Sequence, residues 1–401
     1  MSSASFIVQM KKVFRLLLGL LIGAGIGLLI GTVIGMIAGG LSFGDICKGL
    51  AAIDLGEMLL VCVASFVFAS IAVVLQIILH EAGHLVMGLL TGYGFVSFRI
   101  FNLTLLRQDG KFRIKRFALA GTGGQCLMSP PDKPLADIDT RWYNLGGVMM
   151  NLLTAIICIV CAVVFDVNAW VSMFLFMMAF IGICFALLNG IPMKMAGIGN
   201  DGYNILNLER EPDNKRYLCN MLAVNAFLQK GEHIEDMPAE WFGFDGAIDW
   251  SNGLEANWRI MCITRLIAEH RWQEAYNAMR EALSSGKEIM KTLLLELKCE
   301  MVFTCLVLGK TDEARTFFDD DVRKYAARYS STQSSKKRLM AAWSLGAEND
   351  SATAEDILSY MQTHLDDYLI RGEVDMDISL TEYLLLHNEM NAVENGECEN
   401  A

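Results

Sequence analysis

The sequence predicts an α-helical polytopic membrane protein that crosses the bilayer about four times and continues as a soluble all-α domain. Hydrophobic residues make up 53% of the 401 residues and the mean hydropathy is +0.37, both too high for an ordinary soluble protein. Four apolar segments in the first half reach the roughly 20 residues that span a bilayer. After Asp201 no such segment occurs. The chain is therefore predicted to be a membrane domain followed by a soluble domain.

Four spans and four regions follow from this pattern. The predicted spans are Val13 to Gly39, Met58 to Leu90, Gly146 to Phe165 and Trp170 to Leu188. The first span is about twice as long as the apolar core of a signal peptide, so we expect a membrane anchor. Its glycines recur at every fourth residue, which favours close packing against another helix of the protein. The predicted regions are the anchor at 1–45, a membrane core at 46–202, a helical domain at 203–387 and an acidic tail at 388–401.

An HExxH motif, His80-Glu81-Ala82-Gly83-His84, lies within the second predicted span. On a helix its two histidines fall one turn apart on one face, where both imidazoles can bind the same zinc ion. Glu81 can then take a proton from the water on that zinc. Because burying two histidines and a glutamate in apolar sequence is costly, the trio favours a metalloprotease site over a structural role.

The distribution of basic residues predicts the orientation in the membrane. Basic residues precede the first span and fill the connection between the second and third, whereas the other two connections hold one lysine and none. We therefore expect both termini in the cytoplasm and the motif toward the cytoplasmic end of the second span. Water, which hydrolysis requires, can reach Glu81 from that side.

A catalytic zinc requires a third protein ligand and an open fourth position. The extended motif of the metzincins is missing, because Met87 and Leu90 occupy the places of its glycine and third histidine. Most carboxylates of the apolar half lie on the external side or in the polar connection. Asp201 instead follows the fourth span, in a segment where Pro192 and several glycines break the helix and can fold it back beside the zinc.

These motifs resemble those of the site-2-protease family of intramembrane zinc metalloproteases. The resemblance covers roughly residues 58 to 205. It rests on the HExxH motif, an NxxP...DG motif and a glycine-to-asparagine motif, formed by His80, Glu81, His84, Asn189, Pro192, Asp201, Gly202, Gly147 and Asn151. The chain departs from the family in two places: the stretch from Pro192 to Asp201 is longer than usual, and Val148 stands where the family usually has proline.

The resemblance implies that the two motif histidines and Asp201 hold zinc while Glu81 passes a proton from water to the leaving amine. It also implies a polar role near the metal for Asn189, which could contact the oxyanion or the substrate, or else cap a helix end. For Asn151 we expect a hydrogen bond to a neighbouring helix, with an oxyanion or substrate contact as the alternative. Together with the charge asymmetry, the resemblance implies a bacterial plasma membrane.

The connection between the second and third spans contains a hairpin signal, within about residues 95–135. Phe98 to Leu106 and Lys111 to Leu119 are rich in aromatic and branched residues and flank Asp109-Gly110. A strand edge beside the zinc could pair with an extended substrate, or the basic residues could meet anionic lipid headgroups. The glycines and prolines from Gly121 to Pro134 predict a loop.

The soluble half is predicted to be helical. Similar turn-and-helix starts recur at roughly 40 residues, which predicts a tetratricopeptide-like array that binds a protein partner or only stabilises the enzyme. The predicted helices are Trp258 to His270, Trp272 to Leu283, Leu293 to Leu308, Asp312 to Tyr325, Lys337 to Leu345 and Ala354 to Leu365. The polar, acidic tail is predicted to be disordered. The net charge of -12 argues against nucleic acid as a partner.

The predicted function is therefore zinc-dependent hydrolysis of membrane-anchored proteins in or near their transmembrane segments. One alternative is a catalytically silent membrane scaffold of the same fold, against which the intact His-Glu-His set argues. The other is a metal transporter. A transporter would not specifically need Glu81, and the sequence lacks the two repeated halves with broken helices that are typical of carriers.

Overall fold

The structure is a computed structural model. It describes residues 54–108, 111–116, 123–195, 198–243 and 248–399, with four isolated positions before Asp54. The first predicted span, its glycines and the Asp109-Gly110 turn lie outside these residues. The described residues divide into two compact units, one within Met1–His80 and Val148–Leu188 and the other within Glu81–Gly147 and Asn189–Ala401.

The first unit is built from most of three long apolar helices, α1 (Leu55–Leu90), α2 (Arg141–Val164) and α3 (Ala169–Gly190), whose ends at 81–90, 141–147 and 189–190 belong to the second unit. Three segments are long and apolar enough to cross a membrane: Gly56–Leu90, Leu135–Val164 and Ala169–Gly190. These three segments confirm that the second, third and fourth predicted spans are helices long and apolar enough to cross a membrane. Large apolar side chains, such as Leu59, Ile156 and Phe180, remain mostly exposed on their surfaces. Such a surface suits lipid better than water.

Close helix packing in the first unit depends on Gly182 of α3. A Cβ atom at this position would come within 2.7 Å of the side-chain nitrogen of Gln76 and 3.0 Å of the carbonyl oxygen of Asn151. Further along the same helices, Phe68 and Phe174 contact each other edge to face, with ring centroids 5.5 Å apart. Small and aromatic side chains therefore set the spacing between these helices.

The second unit contains a four-stranded antiparallel sheet. Its strands are β1 (Gly94–Ile100), β2 (Leu103–Gln108), β3 (Lys111–Arg116) and β4 (Gly124–Ser129), in the order β3-β2-β1-β4. The predicted hairpin is therefore partly right, because β2 pairs with β3 across positions 109 and 110. The predicted strand Phe98 to Leu106 is broken at Phe101, whose φ of 53° is left-handed. Phenylalanine rarely adopts that conformation, so no residue pattern predicted this turn.

The loop predicted from Gly121 to Pro134 is wrong where β4 forms. Cys126 and Met128 are buried at alternate positions of this strand, as in any half-buried strand, but the run is short and flanked by glycines and prolines. These two side chains pack in one cluster with Tyr93 and with Cys219 and Leu222 of the following helical region. The cluster fixes the sheet against that region.

The rest of the second unit is helical. Its helices are α4 (Asp201–Arg210), α5 (Pro212–Gln229), α6 (Gly253–Ala268), α7 (Trp272–Ser284), α8 (Lys291–Val307), α9 (Thr311–Phe317), α10 (Asp320–Tyr329), α11 (Ser334–Glu348), α12 (Ser351–Thr363) and α13 (Arg371–Glu399). Every helix predicted after Asp201 has a counterpart here. The predicted helix Asp312 to Tyr325 is divided in two, because the side chain of Asp319 accepts a hydrogen bond from the Val322 amide and caps α10.

Two features of this helical region differ from the sequence prediction. Helix α13 continues through Glu399, so the tail predicted to be disordered from 388 is helical; its Glu, Met and Ala residues are good helix formers. Helix α13 also contacts α5 near the start of the region, for example where Gly372 lies against the backbone of Leu228. Repeats of a simple solenoid contact only their neighbours. The described residues therefore confirm helix pairs without confirming a tetratricopeptide-like repeat.

A glycine contact in the second unit predicts a large effect of a small substitution. A Cβ atom on Gly146 of α2 would overlap the backbone carbonyl of Gly83 on α1. We expect Gly146→Ala to force the two helices apart and to lower the free energy of unfolding by about 1–3 kcal/mol. Thermal unfolding in detergent measures this. Gly56→Ala is the control, since its added methyl group meets only the carboxylate of Asp54; equal midpoints for the two variants would refute the packing argument.

Candidate metal centre

The HExxH motif lies on one continuous helix, α1, which extends from Leu55 to Leu90. His80, Glu81 and His84 are each only 8% exposed. Because four residues make just over one helical turn, the two imidazoles occupy the same face of α1. The spacing of the two histidines in the sequence therefore predicted correctly that they share one face of the helix.

The segment that leads to Asp201 forms a small hairpin of β5 (Lys194–Met195) and β6 (Ile198–Gly199). Asn200 ties the two ends of this segment together. Its side-chain NH₂ donates to the carbonyl of Ile191 at 2.6 Å, and its side-chain oxygen accepts from the amide of Met193 at 3.1 Å. The stretch from Pro192 to Asp201 is longer than in the motif that it resembles. The hairpin accommodates this length, because β5 and β6 pair with each other and bring the two ends of the stretch together.

The same asparagine begins helix α4. Its side-chain oxygen also accepts from the amide of Tyr203 at 2.9 Å, which makes Asn200 the N-cap and Asp201 the first helical residue. The partial positive charge of the helix N-terminus stabilises a carboxylate there. Gly202 completes the turn, since a Cβ atom at this position would collide with the carbonyl of Gly190. Sequence analysis missed Asn200, although asparagine directly before a predicted helix is a common capping signal.

The three predicted ligands come together. The donor atoms of His80, His84 and Asp201 all lie within 4.8 Å of one another. Nε2 of His84 and Oδ2 of Asp201 are 3.5 Å apart. Two donors bound tetrahedrally to one zinc are about 3.3 Å apart, given bond lengths of roughly 2.0–2.1 Å. The residues therefore fit a metal ion with two nitrogen ligands and one oxygen ligand.

Hydrogen bonds on the far side of each imidazole support this interpretation. Nδ1 of His80 lies 2.7 Å from the side-chain oxygen of Asn151, and Nδ1 of His84 lies 2.7 Å from the carbonyl of Tyr143. Both partners are acceptors, so each Nδ1 carries the proton and each Nε2 keeps its lone pair for a metal. This arrangement of outer partners is typical of metal-binding histidines.

A buried polar network orients Asn151. Its side-chain NH₂ donates to the carbonyl of Gln76 at 3.0 Å and to the side-chain oxygen of Gln76 at 2.7 Å. Gln76 in turn donates to the carbonyl of Met178 at 3.0 Å. The amide of Asn151 thus links helices, as expected, and its hydrogen bonds favour positioning of His80 over contact with an oxyanion. Sequence analysis missed Gln76, a lone amide one turn before His80 in an apolar helix.

Loss of this network should weaken metal binding. We expect Asn151→Leu to lower zinc affinity by about 10–100-fold, because His80 loses the acceptor that fixes its proton and ring orientation. Competition with a chromogenic chelator in detergent measures the change. Asn168→Leu is a suitable control, since Asn168 caps the exposed start of α3. Wild-type affinity in Asn151→Leu would show that the network does not serve the metal.

Glu81 lies against the sheet. A Cβ atom on Gly124, the first residue of β4, would come within 2.6 Å of the Glu81 side chain. Arg99 of β1 is buried and donates to the carbonyl of Phe101 at 2.8 Å. Burial lowers the pKa of Arg99, and the negative charge of Glu81 acts in the opposite direction. A glycine and a buried cation therefore shape the surroundings of Glu81, and sequence analysis identified neither.

Asn189 is a further predicted site residue. It is half-buried in the last turn of α3, and its backbone carbonyl lies near Gly202.

Comparisons with protein-family models, curated proteins and solved structures gave no match for the chain. The resemblance to the site-2-protease family therefore rests on the motifs of this chain and on the site that they form.

Proposed function

We propose that this protein is an intramembrane zinc metalloprotease, similar to site-2 proteases, that hydrolyses peptide bonds in or near transmembrane segments of membrane-anchored proteins. The observation that carries the proposal is the convergence of His80, His84 and Asp201 beside Glu81, at the end of a helix apolar enough to cross a membrane. Its proposed location is a bacterial plasma membrane, with both termini in the cytoplasm.

Zinc is the proposed metal, held by His80, His84 and Asp201. When bound, zinc would supply Lewis acidity, which lowers the pKa of water and polarises a peptide carbonyl. The two histidines are held in the required tautomer by Asn151 and by the Tyr143 carbonyl. Asp201 adds one negative charge, so the ligand set retains a net positive charge when zinc is present.

Glu81 is the proposed general base and acid. Its carboxylate would accept a proton from the attacking water and return it to the leaving amine. The buried guanidinium of Arg99 lies close enough to Glu81 to attract the negative charge of its carboxylate. Gly124 leaves room for that carboxylate, since any side chain there would overlap it.

The proposed substrate-binding edge is that of β4. In the order β3-β2-β1-β4, strands β3 and β4 are the two edges of the sheet, and β4 begins beside Glu81. An extended substrate could add to this edge through backbone hydrogen bonds. The predicted hairpin lies at the opposite edge, where Phe112 and Ile114 are 66% and 73% exposed among basic residues. That surface favours the lipid headgroup as its partner.

The C-terminal helices have a proposed role in recruiting a protein partner. The recurring helix starts still suggest a tetratricopeptide-like segment from α7 to α12, with α13 packed across α11 and α12. A helical array of this kind offers an extended surface for a peptide. The acidic composition of the chain argues against nucleic acid.

The function can be tested with one membrane-proteome comparison. Cells that express the wild-type protein or Glu81→Gln are compared for transmembrane proteins that accumulate uncut with the variant. Glu57→Gln is the matched control, because Glu57 lies on the same helix and is exposed. Accumulation with Glu81→Gln alone would support proteolysis and identify the substrate. Identical proteomes, with the zinc-loaded protein present in each, would exclude the proposed function in those cells.

A further inference from the structure

A second candidate site lies in the helical region, away from the residues proposed for catalysis. A partly open cavity of about 250 Å³ is lined by residues of α6, α8, α11, α13 and the segment before α13. Ligand pockets for drug-sized molecules are usually roughly 300–1,000 Å³, so this cavity suits a smaller group. Its wall carries four carboxylates and one cation, namely Glu296, Glu300, Glu373, Asp377 and Arg338.

Three of the four carboxylates have a cationic partner. Nζ of Lys336 lies 2.5 Å from Glu296, and the guanidinium of Arg338 contacts Glu300 at 2.6 Å and Asp377 at 2.8 Å. Glu373 is different. Among the residues that the structure describes, no ion pair or hydrogen bond involves its carboxyl group. The four carboxylates of the cavity therefore face only two cations, Lys336 and Arg338.

Burial raises the pKa of Glu373 to about 8, and the negative charge of Asp377 is the next cause. Below that pH the carboxyl group is mostly neutral when nothing pairs with it. A cation placed in the cavity would favour the ionised form, so binding would release a proton. Burial of an unpaired carboxyl group costs free energy, which a bound cation would offset.

A second polar group in the wall has an unused hydrogen-bonding site. Tyr368 is 2% exposed, and its hydroxyl group has no hydrogen-bond partner within the described part of the chain. Buried hydroxyl groups are normally paired. The rest of the wall includes apolar side chains, among them Ile260, Ile370 and Val374. The cavity thus combines an acid and a hydroxyl group with an apolar lining.

This combination matches an alkyl chain that ends in a cation. A divalent metal fits less well, because among the described residues only His80, His84 and Asp201 form a group close enough to chelate one. We propose that the cavity binds the guanidinium or ammonium end of an arginine or lysine side chain, with Glu373 as its counter-ion and Tyr368 as a hydrogen-bond partner. The apolar lining would contact the methylene groups. This proposal does not depend on proteolytic activity.

Calorimetric titration of the full-length protein in detergent, at pH 8.5, tests the proposal. The probe is acetyl-Gly-Arg-Gly-amide, and the matched probe replaces arginine by citrulline, which has the same shape without the charge. We expect saturable binding of the arginine peptide only. Affinity for it should rise between pH 7 and 9 as Glu373 ionises; the other charged groups that line the cavity are Glu296, Glu300, Arg338 and Asp377.

Two variants assign the binding to named groups. Glu373→Gln should weaken binding by about 10–100-fold and remove the pH dependence, and Tyr368→Phe should weaken it less. The control is Glu382→Gln on the exposed face of the same helix. Binding of agmatine as well as the peptide would support the site and extend it to free small cations; binding of the peptide alone would assign it to a protein segment. Equal binding of the citrulline peptide, no binding, or wild-type affinity in Glu373→Gln would overturn the proposal.

Discussion

Replacing Glu81 by glutamine is expected to reduce the turnover number by about 10²–10⁴-fold while the protein keeps its zinc. The amide has nearly the shape of the carboxylate but cannot accept a proton, so the chemical step fails. The proposed metal ligands His80, His84 and Asp201 are untouched. Metal analysis of the purified protein, together with cleavage of a reconstituted transmembrane substrate, measures both effects.

The control for this prediction is Glu57→Gln, an exposed position in the first turn of the same helix. It should keep both zinc and activity. If Glu81→Gln kept full activity, a different base would be required. If it lost zinc as well, Glu81 would have a role in metal binding that the described geometry does not assign to it.

Replacing Asp201 by asparagine is expected to lower zinc affinity. The decrease should be larger than the about 10–100-fold decrease caused by loss of a residue that only hydrogen-bonds to a ligand. A neutral amide is a weaker ligand than a carboxylate, and the site loses the negative charge that faces the metal. Activity should fall with zinc occupancy. Excess zinc should restore part of the activity of Asp201→Asn, but none of that of Glu81→Gln.

Asp213→Asn is the matched control, since Asp213 also lies in the first turn of a helix but its side chain is largely exposed. Zinc affinity is measured by competition with a chelator at fixed pH. An Asp201→Asn protein with wild-type affinity would show that Asp201 is not the third ligand. A different group near His84 would then have to be the third zinc ligand.

The sequence predicted the parts of this site that depend on local spacing. His80 and His84 share one helical face because of their positions alone, and the helix break at Pro192 suggested that Asp201 returns to them. Asn200 and the β5–β6 hairpin, which bring Asp201 close to His84, were not predicted, because the sequence between the two strands, Ala196-Gly197, carries no strong hairpin signal. The resemblance predicted Asp201 as a ligand but did not indicate how the segment before it brings it close to the histidines.

Tertiary contacts account for what the sequence could not predict. Strand β4 has a short pattern between glycines and prolines, and its burial depends on Cys219 and Leu222 far along the chain. The closing contact of α13 with α5 likewise joins segments separated by more than 130 residues, which no local pattern encodes. Gln76 was visible as a polar residue in an apolar helix, but only the structure joins it to Asn151.

We propose that zinc at this site and Glu81 together cleave a substrate within its transmembrane segment. The most direct test is to reconstitute the purified protein in liposomes with the substrate from the proteome comparison and to map the new chain ends by mass spectrometry. If zinc and Glu81 carry out the cleavage, we expect new chain ends inside the apolar segment of the substrate. These ends should be absent when a zinc chelator is added and when the protein is Glu81→Gln. Cleavage that persists in the Glu81→Gln protein, or no cleavage by the zinc-loaded wild type, would contradict it.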